Sequence, residues 1–537
     1  LYLTMRSLLS SPLQTNVLQS RRPLSRPLAL WRTTSRTTTW SLDTIAATRT
    51  GGLTTEGGTA ITLNRTPDIS PETAGEPSSK FLWNAHWYPV AIVDDLDPRR
   101  PHATHLLGIP LALWRDKEGA WHAVEDKCPH RLAPLSEGRI ETDGTLQCAY
   151  HGWQFNGSGS CTHIPQLRSD PKAMQTACAS RRSSVRAFPI QVVHGLLWVL
   201  PDSTQGAHEQ LAKDPALPKT AIKELLGGPE AEGYVQTTQW YARDVPMRFD
   251  TLCENILDPS HVPFAHHKVQ GNRNNEKGTT TKLQGKINVE GFVFELDSQS
   301  PRFGSSLSFF AAPNYVRYNS PFRSLNVFAV PTRPGWSRIY VTFLKDTRRS
   351  RSFPWLVGAL YSFFEKRTWL EHIFLRHPVL DGDNYILHLQ ERALHEEHGG
   401  NWKQSFYMPS AADDSVSAIR RWFDKYGDTV PTCESGTLMP PPLTKREALN
   451  RHSQHTVHCR HCKQALRNVD LATGVATVVG ILAAMWLVTR VMLGLPLLSP
   501  AAGVGLFAVA LAGAVVAGLR SLRQQFFFID YVHAERD

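Results

Sequence analysis

Two short segments that each contain one cysteine and one histidine constrain the fold of this chain more than any other feature. The first is Cys128-Pro-His130 and the second is Cys148-Ala-Tyr-His151, with residues 131–147 between them. Each segment offers one sulfur and one ring nitrogen, which are ligands for metal ions. The chain is therefore expected to fold locally around a metal site. A tetrahedral zinc ion, which accepts two cysteines and two histidines, is one alternative.

The spacing of the ligands favours a two-iron cluster over zinc. Zinc modules usually place two or more residues between the ligands in both halves of the motif, whereas one residue separates Cys128 from His130. A Cys-x-His turn followed by Cys-x-x-His matches the Rieske arrangement, in which two thiolates hold one iron of a 2Fe-2S cluster and two imidazoles hold the other. We predict that Cys128, His130, Cys148 and His151 bind such a cluster. Cys161 is expected to be an ordinary packed thiol.

The flanking sequence predicts that a small antiparallel domain carries these segments. Alternating or apolar runs surround them, among them "HLLGIPLALWR", "AWHAVED" and "HGLLWVL". Gly152, Gly157 and Gly159 would supply turns beside the cluster. Folded structure is expected to begin near Phe81, and the predicted domain covers residues 80–205.

A second metal site is predicted in "CENILDPSHVPFAHH", where Asp258, His261 and His266 have the spacing D-x-x-H-x-x-x-x-H. Two imidazoles and a carboxylate form the ligand set of mononuclear non-haem Fe(II), which leaves positions open for dioxygen. Positions five apart on a straight α-helix lie about 140° apart, so the two histidines would not converge on one. Pro263 is expected to break the helix between them. A histidine-rich helix end without metal is the alternative.

The third ligand of this iron must come from another segment. "HPVLDGDNYILHLQER" offers Asp381 and Asp383 at the end of an amphipathic stretch that begins near Pro354. Either carboxylate is compatible with the ligand set. A helix-capping role without metal is an equally plausible use of an aspartate here. The residues alone leave this choice open.

Two uncharged apolar runs, residues 471–489 and 501–519, are each about long enough to cross the hydrocarbon core of a bilayer. Breakers lie between them, so the runs predict a helical hairpin. Basic residues lie mainly outside the hairpin, so the soluble part is expected to remain on the side that is not crossed. A hairpin buried in a protein core is the alternative, although small residues also favour helix packing in lipid. The breakers are Gly494, Pro496 and Pro500, and the flanking basic residues are Arg451, Arg460, Lys463, Arg467, Arg520 and Arg523.

Composition narrows the remaining function classes. Residues 1–42 contain arginine, serine and threonine but no acidic residue, which is typical of a transit peptide; a disordered tail is the alternative. The net charge of +10 does not form a basic stripe interleaved with aromatic residues, so no nucleic-acid binding is expected. Eight cysteines in 537 residues are too few for a disulfide scaffold and suit metal or redox work.

The two motifs together resemble the Rieske non-haem iron oxygenases over about residues 80–410. The resemblance is carried by "WYPV", "CPHRLAPLSEG", "CAYHGWQF", "ENILDPSHVPFAHH" and "KVQGNRN". The C-terminal Cys-x-x-Cys, the paired apolar runs and the ending "FIDYVHAERD" are similar to the plastid group that contains pheophorbide a oxygenase and the Rieske subunit ascribed to the envelope translocon. Chlorophyllide a oxygenase is a more distant relative.

This resemblance implies roles for several residues. Asp383, followed by Leu387 and Gln390, resembles the Asp-x-x-x-Leu-x-x-Gln segment that carries the carboxylate ligand, so it implies iron bound by His261, His266 and Asp383. Asp258 resembles the acid that bridges a histidine of this iron and a cluster histidine of a neighbouring subunit, which implies a head-to-tail homotrimer.

The resemblance also implies a tetrapyrrole substrate, oxygenated with O2 and with electrons from ferredoxin. It implies an enzyme anchored in the chloroplast inner envelope, or another plastid membrane, and facing the stroma. Aromatic segments such as "SLSFFAAPNYVRYNSPF" could line a large flat pocket, but plain core is their commoner use.

Cys459-Arg-His-Cys462 precedes the first apolar run. A Cys-x-x-Cys beside basic groups can exchange disulfides, and in the plastid group this pair resembles a proposed thioredoxin target. Half of a zinc site, with His455 or His458 as an additional ligand, is the other interpretation.

The predicted fold class is α+β: a β-rich Rieske domain and a catalytic domain built as a helix-covered antiparallel sheet, followed by a transmembrane helical hairpin. The predicted function is a Rieske-type oxygenase that uses a 2Fe-2S cluster and Fe(II). The alternative is an electron-transfer or redox-sensing component of an envelope complex. The predicted segments are a transit peptide (1–50), a flexible linker (51–79), the Rieske domain (80–205), the catalytic domain (206–430), a linker with the Cys-x-x-Cys (431–470), two membrane helices (471–519) and a tail (520–537).

Overall fold

The computed structural model describes the chain from residue 81 to residue 536 with short gaps. The described ranges are 81–213, 217–227, 231–276, 278–298, 304–320, 323–349, 367–427, 430, 432 and 439–536. The predicted transit peptide and linker, and the predicted start of the amphipathic stretch near Pro354, lie outside the described residues.

The N-terminal part of the described chain consists of short antiparallel sheets. Their orders are β2-β3-β4-β9, β5-β6-β7-β8 and β1-β11-β10. Helix α1, Pro171–Cys178, lies between β8 and β9 and begins where the Asp170 carboxylate accepts a hydrogen bond from the backbone of Ala173. The strands are β1 Tyr88–Ile92, β2 His102–Leu106, β3 Ile109–Arg115, β4 Trp121–Glu125, β5 Arg139–Ile140, β6 Leu146–Gln147, β7 Gln154–Phe155, β8 Cys161–His163, β9 Ala187–Phe188, β10 Ile190–Val193 and β11 Leu196–Val199.

The sheet of two- and three-residue strands, β5 to β8, presents the loops that carry the Cys/His segments. One loop joins β4 to β5 and contains Cys128 and His130, and the other joins β6 to β7 and contains Cys148 and His151. A separate apolar cluster that includes both cysteines, Leu135, Leu146 and Phe155 packs beneath these loops. The cluster fixes the two loops relative to each other, since its members come from both.

An eight-stranded antiparallel sheet forms the centre of the next part of the chain. Its order is β12-β19-β18-β17-β16-β15-β14, and β13 also pairs with β19. Consecutive neighbours from β14 to β19 show that the sheet is mainly a meander. The strands are β12 Tyr234–Gln236, β13 Tyr241–Val245, β14 Thr279–Asn288, β15 Gly291–Ser298, β16 Gly304–Ala311, β17 Tyr315–Asn319, β18 Arg323–Arg333 and β19 Trp336–Asp346.

Helices cover this sheet, as the predicted fold class requires. Trp422 at the end of α8 packs edge-on against Phe310 of β16, and its indole donates to the carbonyl oxygen of Asn288. The predicted α+β class, with its β-rich domain and helix-covered antiparallel sheet, is confirmed. The helices are α2 Gln205–Lys213, α3 Phe249–Ile256, α4 Val262–Ala265, α5 Thr368–Glu371, α6 His377–Arg392, α7 Trp402–Ser405, α8 Asp414–Trp422, α9 Lys445–Ala448, α10 Arg460–Met492 and α11 Pro500–Gln524.

Helices α10 and α11 form the predicted hairpin and are long and apolar enough to cross a membrane. Many of their apolar side chains face outward, as Leu482 (59% exposed) and Phe507 (67% exposed) show. Gly505 allows close packing, since a Cβ there would lie 2.6 Å from the ring of Trp486. The exposed apolar surface suits lipid better than water.

The segments next to the hairpin differ from the predicted linker and tail. Residues 460–470 are the first turns of α10, which bury Cys462, Ala465 and Val469 against the rest of the protein. After α11 the chain turns back to α9, where Lys445 pairs with Asp530 at 2.6 Å. The first segment is helical and the second packs against the protein, because each contains apolar residues that are buried in a cluster outside the hairpin.

Candidate metal centres

The two Cys/His loops have matching backbone geometry. The amide of Cys128 donates to the carbonyl of Ala133, and the amide of Leu132 donates back to the carbonyl of Cys128. In the second loop, the amide of Cys148 donates to the carbonyl of Trp153, and the amide of Gly152 donates back to the carbonyl of Cys148. Leu132 and Gly152 both have positive φ, 62° and 75°, which closes each loop around its cysteine. Two equivalent turns therefore present one thiol each.

The side chains of these loops fit a 2Fe-2S cluster. The two thiols are 2% and 1% exposed, whereas the two imidazoles lie nearer the surface with ring centroids 4.5 Å apart. His130 stacks on Trp153, and its Nδ1 has no hydrogen-bond partner, which leaves this nitrogen available to iron. Within the described chain, the four ligand atoms do not gather within 4.8 Å of one another as the ligands of one zinc ion would.

His261, His266 and Asp383 converge in the interior of the catalytic part. The Nε2 atoms of the two histidines are 3.2 Å apart, and carboxylate oxygens of Asp383 lie 3.9 Å from His261 Nε2 and 3.4 Å from His266 Nε2. All three ligand atoms lie within 4.8 Å of one another. Three ligands from one side leave the other side of an ion open, which is the geometry needed for dioxygen.

The local sequence explains why the two histidines meet. Helix α3 ends at Ile256, and Asp258 caps a 3-10 turn, Pro259–His261, by accepting from the amide of Ser260 at 2.9 Å. Pro263 lies in the first turn of α4, and His266 follows the last residue of that helix. The histidines thus sit on separate turns, as expected from a proline between them.

A glycine brings the third ligand close. At Gly382 a Cβ would lie 2.8 Å from the carbonyl oxygen of Ala265 and 3.0 Å from His266 Nδ1. A side chain at this position would therefore push α6 away from α4. Since Asp383 is the next residue, this close approach sets its distance from the histidines.

Burial controls the charge of the three side chains. Burial, and next the charge of His261, lower the pKa of His266 to about 2, so its imidazole is neutral and can bind a cation. Burial raises the pKa of Asp383 to about 6, although His261 opposes this. Burial lowers the pKa of His261, but Asp383 and Asp258 outweigh it, so that this pKa is raised. Two imidazoles and a buried carboxylate whose ligand atoms lie within 4.8 Å of one another favour a bound metal ion.

Asp381 has a different environment from Asp383. Its carboxylate lies 2.8 Å from Arg243 and 2.7 Å from Arg451, and the three side chains are 0–2% exposed. Asp381 is thus neutralised by two guanidinium groups and lies outside the histidine group. The geometry places Asp383, and not Asp381, beside the histidines.

Asp258 lies behind His261, on the side away from Asp383. Its Oδ2 is 3.6 Å from His261 Nδ1, and its Oδ1 accepts from the Ser260 hydroxyl at 2.5 Å. The carboxylate is partly exposed. It can thus orient the ring of His261 while remaining accessible from outside.

Cys459 and Cys462 lie in a buried group with two histidines, His372 and His455. The thiols are 3% and 0% exposed, so the structure does not present them at the surface. Sequence reasoning named His455 or His458 as a neighbour of this pair but missed His372. That histidine is far away in the sequence and has no motif of its own.

The C-terminal segment also contacts the site formed by His261, His266 and Asp383, which the sequence did not predict. The Tyr531 hydroxyl donates to the carbonyl of Ala265 at 2.7 Å, and its ring would contact a Cβ at Gly382 at 3.3 Å. Tyr531 is 2% exposed and belongs to the ending "FIDYVHAERD". This ending packs over the place where α4 and α6 meet.

Comparison with known proteins identifies both halves of this arrangement. The Rieske [2Fe-2S] domain family matches residues 86–189, and the pheophorbide a oxygenase family matches residues 307–401. Pheophorbide a oxygenase of Oryza sativa subsp. japonica is 34% identical over 509 residues, which cover 88% of this chain and 89% of that protein. The chain belongs to the pheophorbide a oxygenase family.

Two further chloroplastic proteins are similar to this chain. Flavonoid 8-hydroxylase 2 of Ocimum basilicum is 35% identical, covering 75% of this chain and 77% of that protein. Protochlorophyllide-dependent translocon component 52 of Arabidopsis thaliana is 32% identical, and the match covers 74% of this chain and 76% of that protein. These relatives are chloroplastic, which indicates a plastid location for this chain.

Membership of the family confirms several sequence-based predictions. The chain is a Rieske-type oxidoreductase, and its cofactors are a 2Fe-2S cluster and a mononuclear iron. The interpretation of the first motif as a zinc site is not favoured. The roles of individual residues rest on the geometry above.

Proposed function

We propose that this chain oxygenates a chlorophyll-related tetrapyrrole with O2 and with electrons delivered by ferredoxin. The observation that carries the proposal is the convergence of His261, His266 and Asp383 in a chain that also contains a Rieske domain. A pure electron relay has no need of a second set of iron ligands. The relatives named for pheophorbide a support the substrate class.

The residues divide the work between two centres. Cys128, His130, Cys148 and His151 would hold the cluster, and the triad of two histidines and Asp383 would hold the iron. When bound, the cluster supplies single electrons and the ferrous ion supplies a binding position for O2 beside the substrate.

The side chains around the iron prepare the site. Burial keeps His266 neutral, and the buried Asp383 carboxylate adds the negative charge that stabilises a metal ion bound beside it. Asp258 orients His261 through its Nδ1 side, at 3.6 Å. The site thus needs little rearrangement to bind Fe(II).

We further infer that electrons pass between subunits of a head-to-tail homotrimer. Leu132 and Tyr150, which flank the cluster histidines, are 70% and 65% exposed, so the cluster face carries apolar surface suited to a partner. Asp258 is partly exposed and touches His261, as a bridging acid requires. A heterologous contact of this kind can close into a ring.

The hairpin supports an anchor in the inner envelope or another plastid membrane, with the soluble part facing the stroma. Basic residues on the soluble side agree with this orientation. Thioredoxin stays a predicted partner of the Cys459/Cys462 pair. An external thiolate would reach these thiols only after the surrounding structure opens, because they are 3% and 0% exposed.

Single-turnover assays test the proposal on full-length protein in detergent. Ferredoxin-reduced protein is mixed with O2 and with pheophorbide a, chlorophyllide a or a flavonoid, and products are followed by mass spectrometry. Oxygenated tetrapyrrole is expected. A flavonoid product alone would move the substrate class to that of the Ocimum relative. No product with any of them would favour the redox-component alternative.

The variant His261→Ala separates the two centres. It is expected to lose turnover and to lower the iron content from about three to about two atoms per chain, while the cluster spectrum is unchanged. His163→Ala is a matched control, because this histidine lies on β8 outside the iron group. Loss of the cluster spectrum in His261→Ala would contradict the separation of the sites.

A further inference from the structure

A second compact group of metal ligands lies at the base of the membrane hairpin and has no part in the proposed oxygenation. It consists of His372, His455, Cys459 and Cys462, whose ligand atoms all lie within 4.8 Å of one another. The four residues are 1%, 2%, 3% and 0% exposed. Two nitrogens and two sulfurs thus face one another in the buried interior.

The distances between these atoms match the edges of a tetrahedron around zinc. Zinc–sulfur bonds of about 2.3 Å and zinc–nitrogen bonds of about 2.0–2.1 Å imply edges of about 3.4 Å between nitrogens and about 3.6 Å between nitrogen and sulfur. His455 Nε2 lies 3.2 Å from His372 Nδ1 and 3.3 Å from Cys462 Sγ. His372 Nδ1 lies 3.5 Å from Cys462 Sγ and 3.7 Å from Cys459 Sγ.

The backbone around the group holds the ligands in place. His455 Nδ1 lies 2.6 Å from the carbonyl oxygen of Ala242 in β13, which fixes the proton on Nδ1 and leaves Nε2 to bind a metal. The amide of Cys459 donates to the carbonyl of His455 at 2.9 Å, so the turn before α10 presents both side chains together. Cys462 lies in the first turn of α10.

We propose that His372, His455, Cys459 and Cys462 bind one structural zinc ion. Two thiolates and two imidazoles in a tetrahedral arrangement are a preferred zinc ligand set, and four buried protein ligands leave no open position for catalysis. The ion joins three segments: the turn between α5 and α6, which contains His372, the turn before α10, which contains His455, and the start of α10 itself. It therefore fastens the membrane hairpin to the catalytic part.

Metal analysis of full-length protein purified in detergent without chelators tests this proposal. About one zinc ion per chain is expected beside the iron, and zinc-edge X-ray absorption is expected to report two sulfur and two nitrogen neighbours. This measurement needs no variant, so it does not depend on whether a variant folds. Absence of stoichiometric zinc, a shell of oxygen ligands, or a Cys459–Cys462 disulfide in the native protein would overturn the proposal.

Variants assign the zinc to these residues. The double variant Cys459→Ser/Cys462→Ser is expected to lose zinc and retain the cluster spectrum, and Cys178→Ser, outside the group, is the matched control. His455→Cys keeps a zinc ligand at that position and is expected to restore binding that His455→Ala loses. Zinc retained by the double variant at the wild-type stoichiometry would place the ion elsewhere and refute the assignment.

Discussion

The two neighbouring aspartates of α6 should respond in opposite ways to the same isosteric change. In Asp381→Asn the side chain no longer neutralises Arg243 at 2.8 Å and Arg451 at 2.7 Å. These groups are 0–2% exposed, so water cannot replace the lost partner. Removing one member of a buried ion pair costs about 3–5 kcal/mol. A domain of 150–250 residues loses about 2–4 °C per kcal/mol, so we expect a fall of about 6–20 °C in the thermal midpoint.

In Asp383→Asn the same change should remove iron instead of stability. Burial raises the pKa of Asp383 to about 6, so its ionised form is disfavoured in the metal-free protein and a neutral amide is tolerated. The midpoint of the chelated protein is expected to be equal or higher. The iron content is expected to fall from about three to about two atoms per chain.

Intrinsic fluorescence on heating and metal analysis measure both responses on the same preparations. Chelating the mononuclear iron beforehand removes its own contribution to the midpoint. A wild-type melting temperature for Asp381→Asn would contradict the buried ion pairs of Asp381 with Arg243 and Arg451. A third iron kept by Asp383→Asn and lost by Asp381→Asn would show that Asp381 is the ligand.

Three further changes test the surroundings of the site. Gly382→Ala would place a methyl group 2.8 Å from the carbonyl oxygen of Ala265, so iron retention during chelation should fall, and unchanged retention would contradict the close approach. Tyr531→Phe removes a 2.7 Å hydrogen bond to the same carbonyl, which should cost about 0.5–1.5 kcal/mol in thermal denaturation; no loss would mean that the tail does not support the site. Burial raises the pKa of Glu391 to about 8. The folded protein therefore keeps this proton up to about pH 8, whereas the unfolded chain releases it at the ordinary carboxyl pKa. The folded state loses stability as the pH rises between these two values. Glu391→Gln should flatten the pH dependence of the thermal midpoint in this window, and parallel profiles for wild type and variant would contradict it.

Spacing within one segment predicted much of the site, because local geometry follows from local sequence. The Cys/His loops, and the break that Pro263 introduces between His261 and His266, are of this kind. The choice between Asp381 and Asp383 is not, since both lie on one helix with similar neighbours. It is decided by Arg243 and Arg451, which tertiary folding brings from distant segments.

The residues that sequence reasoning missed lack a local pattern of their own. His372, in "LEHIFLRHP", has no cysteine near it in the sequence. It meets Cys459 and Cys462 only because folding packs α10 beside it. Tyr531 lies in a segment after the hairpin, which was predicted to be a tail. Both residues act through contacts between segments far apart in the chain. The spacing of residues along one sequence does not show which distant segments meet, so neither residue could be predicted from it.

Helix α6 connects the apolar hairpin to the histidine–aspartate site. Positions 381 and 383 differ by about 200° around a helix, so one aspartate can face the arginines and the other the histidines. Arg451, bound to Asp381 at 2.7 Å, also donates to the carbonyl of Gln525, which follows the hairpin.

The hairpin and the iron site therefore share supports in the chain segments that precede and follow the apolar helices. Cutting the chain before residue 459 would remove the Cys pair, Gln525 and Tyr531 together and should weaken iron binding. Arg523 pairs with Asp470 at 2.7 Å, so the two ends of the apolar hairpin are adjacent. Replacing residues 471–519 by a short flexible linker should give a soluble protein that keeps its iron, because the supports outside that range remain. Equal iron loss in both shortened proteins would show that lipid-embedded packing, and not these contacts, maintains the site.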